Sequence, residues 1–263
     1  MQQGTQTQLA LITGASSGIG QALAARYYAA GYRLALIARR TSETKSWATQ
    51  HGMDTDRFQV YSGDVAIVDS IVAACHACLE QQGLPDVVVA NAGISLGVDT
   101  AVRTDLEVMS RVFATNNIGM AATFHPFVQG MRDRGSGTLV GIGSVAGIRG
   151  LPGHGAYCAS KAAVIAYCES LRGELRGAGV KVVTICPGYI DTPLTSKNRY
   201  SMPFLMQPEA FAVQAFAAIE AGVSYRVIPW QMGLVAKVLR LLPNSLFDRF
   251  FAGRPRKHRQ AAE

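Results

Sequence analysis

Short apolar runs recur along this chain with helix-length amphipathic stretches between them, and that alternation admits few architectures. The runs fall at 9–13, 33–38, 58–62, 86–91, 138–144, 181–187 and 225–228. Several are apolar without interruption, as strands buried on both faces are. Helical periodicity fills 19–30, 69–82, 106–132, 156–176 and 208–221. A strand, a helix and a further strand close most simply as a crossover between parallel neighbours. The expectation is therefore an α/β fold, one doubly wound parallel sheet flanked by helices. Gly and Pro punctuate the elements, and no repeat of solenoid period or low-complexity block intervenes. The main domain is expected over residues 1–226, with 227–263 as a C-terminal extension, either part of the same domain or a surface element.

With 49% hydrophobic and 16% charged residues in 263, the chain has material for a large core and little of the character of a disordered one. Five cysteines, and an N-terminus with neither the basic start nor the apolar run of a signal peptide, point to free thiols in a reducing, cytoplasmic setting. Cys75, His76 and Cys78 sit in an apolar helical run with no second ligand pair, so they read as buried helix residues, and no metal is expected. The formal charge of +7 is concentrated at the end, where Arg249, Arg254, Arg256, Lys257 and Arg259 crowd together.

After the first run comes Thr13-Gly14-Ala15-Ser16-Ser17-Gly18-Ile19-Gly20 and then a helix. Glycines let such a turn close tightly, and the helix start offers free N–H groups and a positive dipole end to a pyrophosphate. Isolated, the same glycines serve an ordinary tight loop; the strand-turn-helix setting is what favours phosphate. The second run ends at Arg39 and Arg40, where a cofactor with bare ribose hydroxyls usually meets an acid. Two guanidiniums favour the 2′-phosphate of NADP(H) over NAD(H), although basic residues also simply solvate strand ends. Further on, Tyr157 and Lys161 stand four apart at the start of a helical segment and so share a face. A phenol is a poor base at neutral pH unless an ammonium stabilises its phenolate, so this pair has a chemical use beyond that of a plain helix face.

Together these motifs resemble the short-chain dehydrogenase/reductase family over residues 8–188. The glycine turn is followed in order by Asp64-Val65, Asn91-Ala92-Gly93, Asn116 with Gly119, Ser144, Tyr157 with Lys161, and Pro187-Gly188 with Thr192. The resemblance implies a single-domain Rossmann-type fold, a nicotinamide cofactor and a hydride passed between it and a carbonyl or alcohol. By that resemblance Tyr157 exchanges the proton, Ser144 bonds the same oxygen, Lys161 holds the cofactor ribose and depresses the tyrosine pKa, and Asn116 holds a water joining Lys161 to solvent. Gly14, Ser16, Ser17, Gly18, Ile19, Gly20, Arg39 and Arg40 would bind the phosphates. Asp64 and Val65 would flank the adenine, Asn91, Ala92 and Gly93 would line the cofactor, and Pro187, Gly188, Ile190 and Thr192 would close on the nicotinamide. Plainer readings remain beside these: a backbone-capping role for Asn116, with Asn117 as a rival, a turn serine at 144, a solvated acid at 64, a helix cap at 192. Gly143 stands where many relatives carry a second serine.

The segment 191–207 holds Pro193, Leu194, Tyr200, Met202, Pro203, Phe204, Leu205 and Met206, an apolar lid over a small hydrophobic ketone, aldehyde or alcohol. Leu96, Val145, Ile148 and His154 are pocket candidates beside Ser144 and Tyr157, with a turn histidine the plainer reading of His154. After residue 227, Trp230, Met232, Leu234, Val235, Val238, Leu239, Leu241 and Leu242 alternate with Lys237 and Arg240, ahead of Leu246, Phe247, Phe250 and Phe251. Such an amphipathic element packs on the core or on a partner, or lies on an anionic membrane; nucleic acid is not expected. The resemblance implies a homodimer or homotetramer. The expected activity is an NADP(H)-dependent carbonyl reductase. A regulator that senses NADP without turnover and a membrane-surface lipid carbonyl reductase are the alternatives.

Overall fold

The computed structural model describes residues 7–196, 198, 200–253, 257 and 259; Arg254 and Arg256 of the basic tail, Lys197 and Arg199 of the predicted lid and the first six residues lie outside them. Its centre is a parallel seven-stranded sheet in the order β3-β2-β1-β4-β5-β6-β7. The strands are β1 Leu9–Thr13, β2 Arg33–Ala38, β3 Phe58–Ser62, β4 Val87–Ala90, β5 Gly137–Ile142, β6 Val180–Pro187 and β7 Tyr225–Ile228. Strand order runs outward in one direction from β1 to β3 and in the other from β4 to β7, so the chain reverses its direction of travel between β1 and β4. That reversal opens a crevice at the carboxyl ends of the two strands.

The strands bury both faces with a period of two. Ala10, Ile12, Leu34, Leu36, Val87 and Val89 face a core closed by α1 Gly18–Ala29, α2 Thr41–Gln50 and α7 Pro208–Glu220. Leu9, Leu11, Ala35, Ile37 and Val88 face the opposite core, covered by α3 Val68–Gln82, α5 Gly119–Arg134 and α6 Gly155–Leu175. The doubly wound parallel architecture read from the sequence is the one observed. Helix α2 was not anticipated: it buries only Thr44 and Ala48, so its sequence carries no apolar stripe to betray it. Predicted strand 86–91 is shorter than expected at both ends, and predicted strand 138–144 starts one residue earlier and stops at Ile142. Its last residues leave the sheet because Ser144 instead accepts the N–H of Ala146 at 3.1 Å, capping a short 3-10 turn.

The single helix expected over 106–132 is interrupted. Helix α4, Asp105–Phe113, passes into a π turn at Ala114–Ile118 before α5 begins. All five cysteines are free and buried. Burial pushes the thiols of Cys75, Cys78 and Cys168 up to about 12 and raises those of Cys158 and Cys186. Among the described residues no cluster of three or more His, Cys, Asp or Glu is placed to hold a metal, and no helix is long and apolar enough to cross a membrane.

Beyond β7 the chain forms α8 Trp230–Leu241 and α9 Asn244–Phe251. Met232, Ala236 and Phe247 turn inward, while Trp230, Leu234, Val238, Leu241, Leu246 and Phe250 stay exposed. Arg149 holds the two helices to the body. Its guanidinium donates to the carbonyls of Leu239, Arg240 and Leu242 and to Asn244 Oδ1, and stacks 3.9 Å from the centre of the Phe247 ring. One planar fork thus satisfies carbonyls that the end of α8 leaves unpaired. Arg149→Ala is expected to cost about 2 kcal/mol of stability, through lost charge-assisted hydrogen bonds and cation–π contact. Thermal unfolding should register the loss, and limited proteolysis should cut first between α8 and α9.

Candidate active site

At the reversal point the loop from β1 to α1 is drawn against the loop after β4. Asn91 Nδ2 donates to Thr13 O at 2.9 Å, and the N–H groups of Asn91 and Ala92 both donate to Thr13 Oγ1 at 3.1 Å. Gly14 has φ 68° and Gly18 φ 55°, the left-handed region. A methyl added at Gly14 would stand 2.9 Å from the Ala92 Cα, and one at Gly18 2.9 Å from the Thr192 methyl. At Gly20 a methyl would lie 2.2 Å from Gly14 O, so that glycine lets the helix pack against the turn and does not itself face the crevice.

The crevice is a cleft of about 760 Å³. Gly14, Ser16, Ser17, Gly18 and Ile19 form its floor at the start of α1, where unpaired N–H groups converge. Arg39, Arg40, Asp64 and Val65 border one end. There Arg40 donates to Ser16 Oγ at 3.3 Å and pairs with Glu43 at 2.9 Å, while Arg39 lies 3.7 Å from Asp64. Asn91, Ala92 and Gly93 line the middle. Leu96, Ser144, Tyr157, Lys161, Pro187, Gly188, Ile190 and Thr192 surround the other end. Of the predicted site residues, Gly20, Asn116, Val145 and His154 do not line the cleft, and Ile148 opens on a separate groove beside Glu169 and Arg172. Pro193 and Leu194 of the predicted lid line it, and Ile94, Arg111, Thr115 and Thr195 do so without having been anticipated. They come from loops and one helix face whose direction only the fold determines.

Tyr157 lies in the first turn of α6, with the Ser144 side chain close enough to influence its hydroxyl. Burial pushes the phenol up to about 12, and Ser144 pulls the other way. Lys161, four residues on, is 5% exposed and donates to Ile142 O at 2.7 Å, its Nζ 5.9 Å from the centre of the Tyr157 ring. Burial lowers this ammonium to about 8. In this arrangement Lys161 is engaged by the end of β5, and Ser144 draws the phenol down.

Asn116 occupies the π turn with its side chain wholly inside. Its Oδ1 accepts from Ile94 N at 2.9 Å, and its Nδ2 donates to Ile94 O at 3.0 Å and Ser160 Oγ at 2.9 Å. Asn117 turns instead to Ser160 O at 2.9 Å. The widened turn lets both amides reach α6 and the loop after β4, a local use typical of π turns. A methyl on Gly93 would lie 3.2 Å from Asn116 Oδ1 and 3.5 Å from Lys161 Nζ, so these three groups meet beneath the cleft. Gly119 explains the accompanying glycine: a Cβ there would stand 2.2 Å from Val65 O.

On the outer side, Phe204 is held at φ 56°, a strained conformation for a side chain of its size, in a segment whose base is closed by Asp191 N to Met206 O at 2.9 Å and Met206 N to Tyr189 O at 3.0 Å. His154 precedes α6 and sits 3.3 Å from the Tyr200 hydroxyl through Nε2. Burial lowers its pKa, and the nearby Lys257 ammonium adds to that.

Known proteins resemble this chain in sequence and fold. A family model described as short chain dehydrogenase matches residues 8–202. An uncharacterized oxidoreductase of Myxococcus xanthus is 38% identical over 246 residues, covering 91% of this chain and 94% of its own. A 2-(R)-hydroxypropyl-CoM dehydrogenase of Xanthobacter autotrophicus is 35% identical, covering 72% of this chain and 77% of its own. Among solved structures, an alcohol dehydrogenase of Thermococcus sibiricus complexed with 5-hydroxy-NADP superposes with a TM-score of 0.74 at 25% identity, covering 85% of this chain and 96% of that one.

The low folded value of Lys161, about 8 against 10.5 in an open chain, has a definite linkage sign. The unfolded chain binds the extra proton between those values, so this group's contribution to stability is complete above about 10.5 and is lost as pH falls through about 8. The unfolding free energy of the native protein relative to Lys161→Met should therefore rise across that window in denaturant titrations; a flat difference would mean the ammonium is not perturbed.

Proposed function

This chain belongs to the short-chain dehydrogenase family, and from that premise we propose that it is an NADP(H)-dependent oxidoreductase interconverting a hydrophobic ketone or aldehyde and its alcohol, with Tyr157 exchanging the proton. The observation that carries this reading is the pair of hydroxyls of Ser144 and Tyr157, brought beside each other at the apolar end of the cleft next to Lys161.

The cleft fits a dinucleotide in its own terms. Glycines 14 and 18 leave backbone where side chains would collide, the N–H groups at the start of α1 suit a pyrophosphate, and Arg40 beside Ser16 Oγ forms a fork for a phosphate on the ribose. Arg39 and Arg40 are held by acids at 3.7 and 2.9 Å, contacts of exposed guanidiniums that cost little to exchange for a phosphate. When bound, the nicotinamide supplies or accepts the hydride. Lys161 would hold the adjoining ribose, and Asn116 fixes the loop carrying Gly93 and Ile94 against α6.

In the reductive direction the carbonyl oxygen takes the place between the two hydroxyls. Ser144 donates a hydrogen bond to it, and Tyr157 gives up its proton as negative charge grows on that oxygen. The oxidative direction reverses this, with Tyr157 taking the alcohol proton. The ammonium of Lys161 stabilises the phenolate electrostatically across the shared helix face. A high phenol pKa keeps Tyr157 protonated at neutral pH, which suits the acid role, and a preference for NADP(H) leans the same way. Ile94, Leu96 and Leu194 at this end favour an apolar substrate. Exposed Leu106, Met109 and Ile118 along α4 and the π turn, with Tyr167 on α6, support a homodimer through these helices.

Tyr157→Phe should lower kcat by about 10²- to 10⁴-fold with NADPH binding retained, measured by cofactor absorbance over a panel of apolar ketones and aldehydes and by fluorescence titration. Unchanged turnover removes the proposed chemistry, while cofactor binding without turnover of any panel member favours the sensing regulator. Arg39→Ala and Arg40→Ala should weaken NADPH far more than NADH; equal losses would remove the basis for preferring the phosphorylated cofactor.

A further inference from the structure

A circuit of contacts lies beside the reacting end of the cleft, and Lys257 and Arg259 contribute to it. Val98 N donates to Gly153 O at 3.4 Å. Next to Gly153, His154 meets Tyr200, with ring centroids 5.6 Å apart and Nε2 3.3 Å from the hydroxyl. Two residues before Tyr200, Asn198 Oδ1 accepts from Lys257 Nζ at 2.6 Å, and the same ammonium donates to Leu194 O at 3.2 Å. Arg259 then pairs as an isolated bridge with Gly97 and sets its guanidinium on both oxygens of Asp105, at 2.7 and 3.3 Å. Gly97 adjoins Val98, where the circuit began.

The circuit borders the reacting end of the cleft and not the phosphate end. Leu96 and Leu194, which line that end, adjoin or belong to it. The strongest joint is at Asp105. Its carboxylate is 4% exposed and accepts from Asp99 N at 2.6 Å as well as from Arg259. The Arg259 guanidinium, and then the Asp99 N–H, hold it below the usual carboxylate range. A carboxylate so enclosed requires a partner, and the partner is a residue of the tail.

We propose that Lys257 and Arg259 form the outer wall of the substrate pocket, and that the Arg259–Asp105 pair, by holding them across the mouth, determines how long a carbonyl substrate the enzyme admits. The proposal rests on Tyr157 as the reacting centre. A compact ketone fits inside the closed circuit, whereas an extended chain must pass where the tail lies. Asp105 and Arg259 thus select substrate length without touching the reacting atoms.

The test uses the full chain with NADPH and a series of straight-chain methyl ketones from butanone to dodecan-2-one. Arg259→Ala, and Asp105→Asn as the variant that keeps an acceptor for Asp99 N–H, should raise the ratio of kcat/KM for the longest to the shortest ketone by about tenfold, chiefly through KM of the long one, with KM for NADPH unchanged. An unchanged ratio, or an equal loss for every ketone accompanied by a lower Tm, would overturn the proposal, since a merely structural contact moves all substrates together. Hydrogen exchange gives a readout independent of turnover: in Arg259→Ala, residues 97–105 and 189–196 should exchange faster together. Acceleration confined to one of them would show that the circuit does not act as a unit. Should Tyr157→Phe leave turnover intact, the placement of the reacting centre fails, and the exchange measurement still decides whether the tail holds the mouth closed.

Discussion

The structure hangs on the join between β1 and β4, where the sheet changes its direction of growth. Two neighbouring strands whose following loops depart to opposite faces leave a gap, and the gap survives only if something spans it. Thr13 and Asn91 do so, through side chains that satisfy backbone groups across the gap at about 3 Å. The loops they tie are those in which a side chain at Gly14 would collide with Ala92. The glycine turn, the start of α1 and the loop of Gly93 are therefore one rigid body, and the cleft is the space that body cannot fill.

From that join the polar network runs inward in a short sequence of steps. Gly93 lies against Asn116 and Lys161, Asn116 reaches Ser160 on α6, and Lys161 reaches the end of β5 at Ile142. Ser144, two residues beyond Ile142, meets Tyr157. Each step joins a loop at the carboxyl edge of the sheet to α6. Buried polar groups satisfied in series in this way position one another more sharply than isolated pairs would. A break in α4 was the geometric condition for it, since an uninterrupted helix would carry Asn116 and Asn117 on a different course past α6.

Much of this was legible in the sequence because it depends on residue type and spacing. The β-runs, the strand-turn-helix glycines and the Tyr157–Lys161 spacing stand in the order the fold uses them, and uninterrupted apolar stretches such as 9–13 leave no alternative to a doubly buried strand. Helix α2 escaped because so little of it is buried, and the π turn because nothing in Ala114–Ile118 departs from ordinary helical composition. The association of Arg259 with Asp105 spans more than half the chain, and no local pattern announces it. The crowding of cations at the basic end discloses nothing of their partners, whereas Lys257 bonds to Asn198 and Arg259 to Asp105. The electrostatics at Tyr157 were also out of reach: which neighbour moves a phenol depends on distances that spacing along a helix does not fix.

The buried thiols carry one further consequence. Cysteine reacts as thiolate, and all five here are shielded and displaced upward by their surroundings, so the folded molecule offers alkylating reagents almost nothing. They are spread across α3, α6 and β6, including Cys158 immediately beside Tyr157. Their labelling rate is thus a built-in clock for opening of each region: modification of Cys75 would time the parting of α3 from the sheet, and that of Cys158 the loosening of the first turn of α6, without any probe having to be introduced.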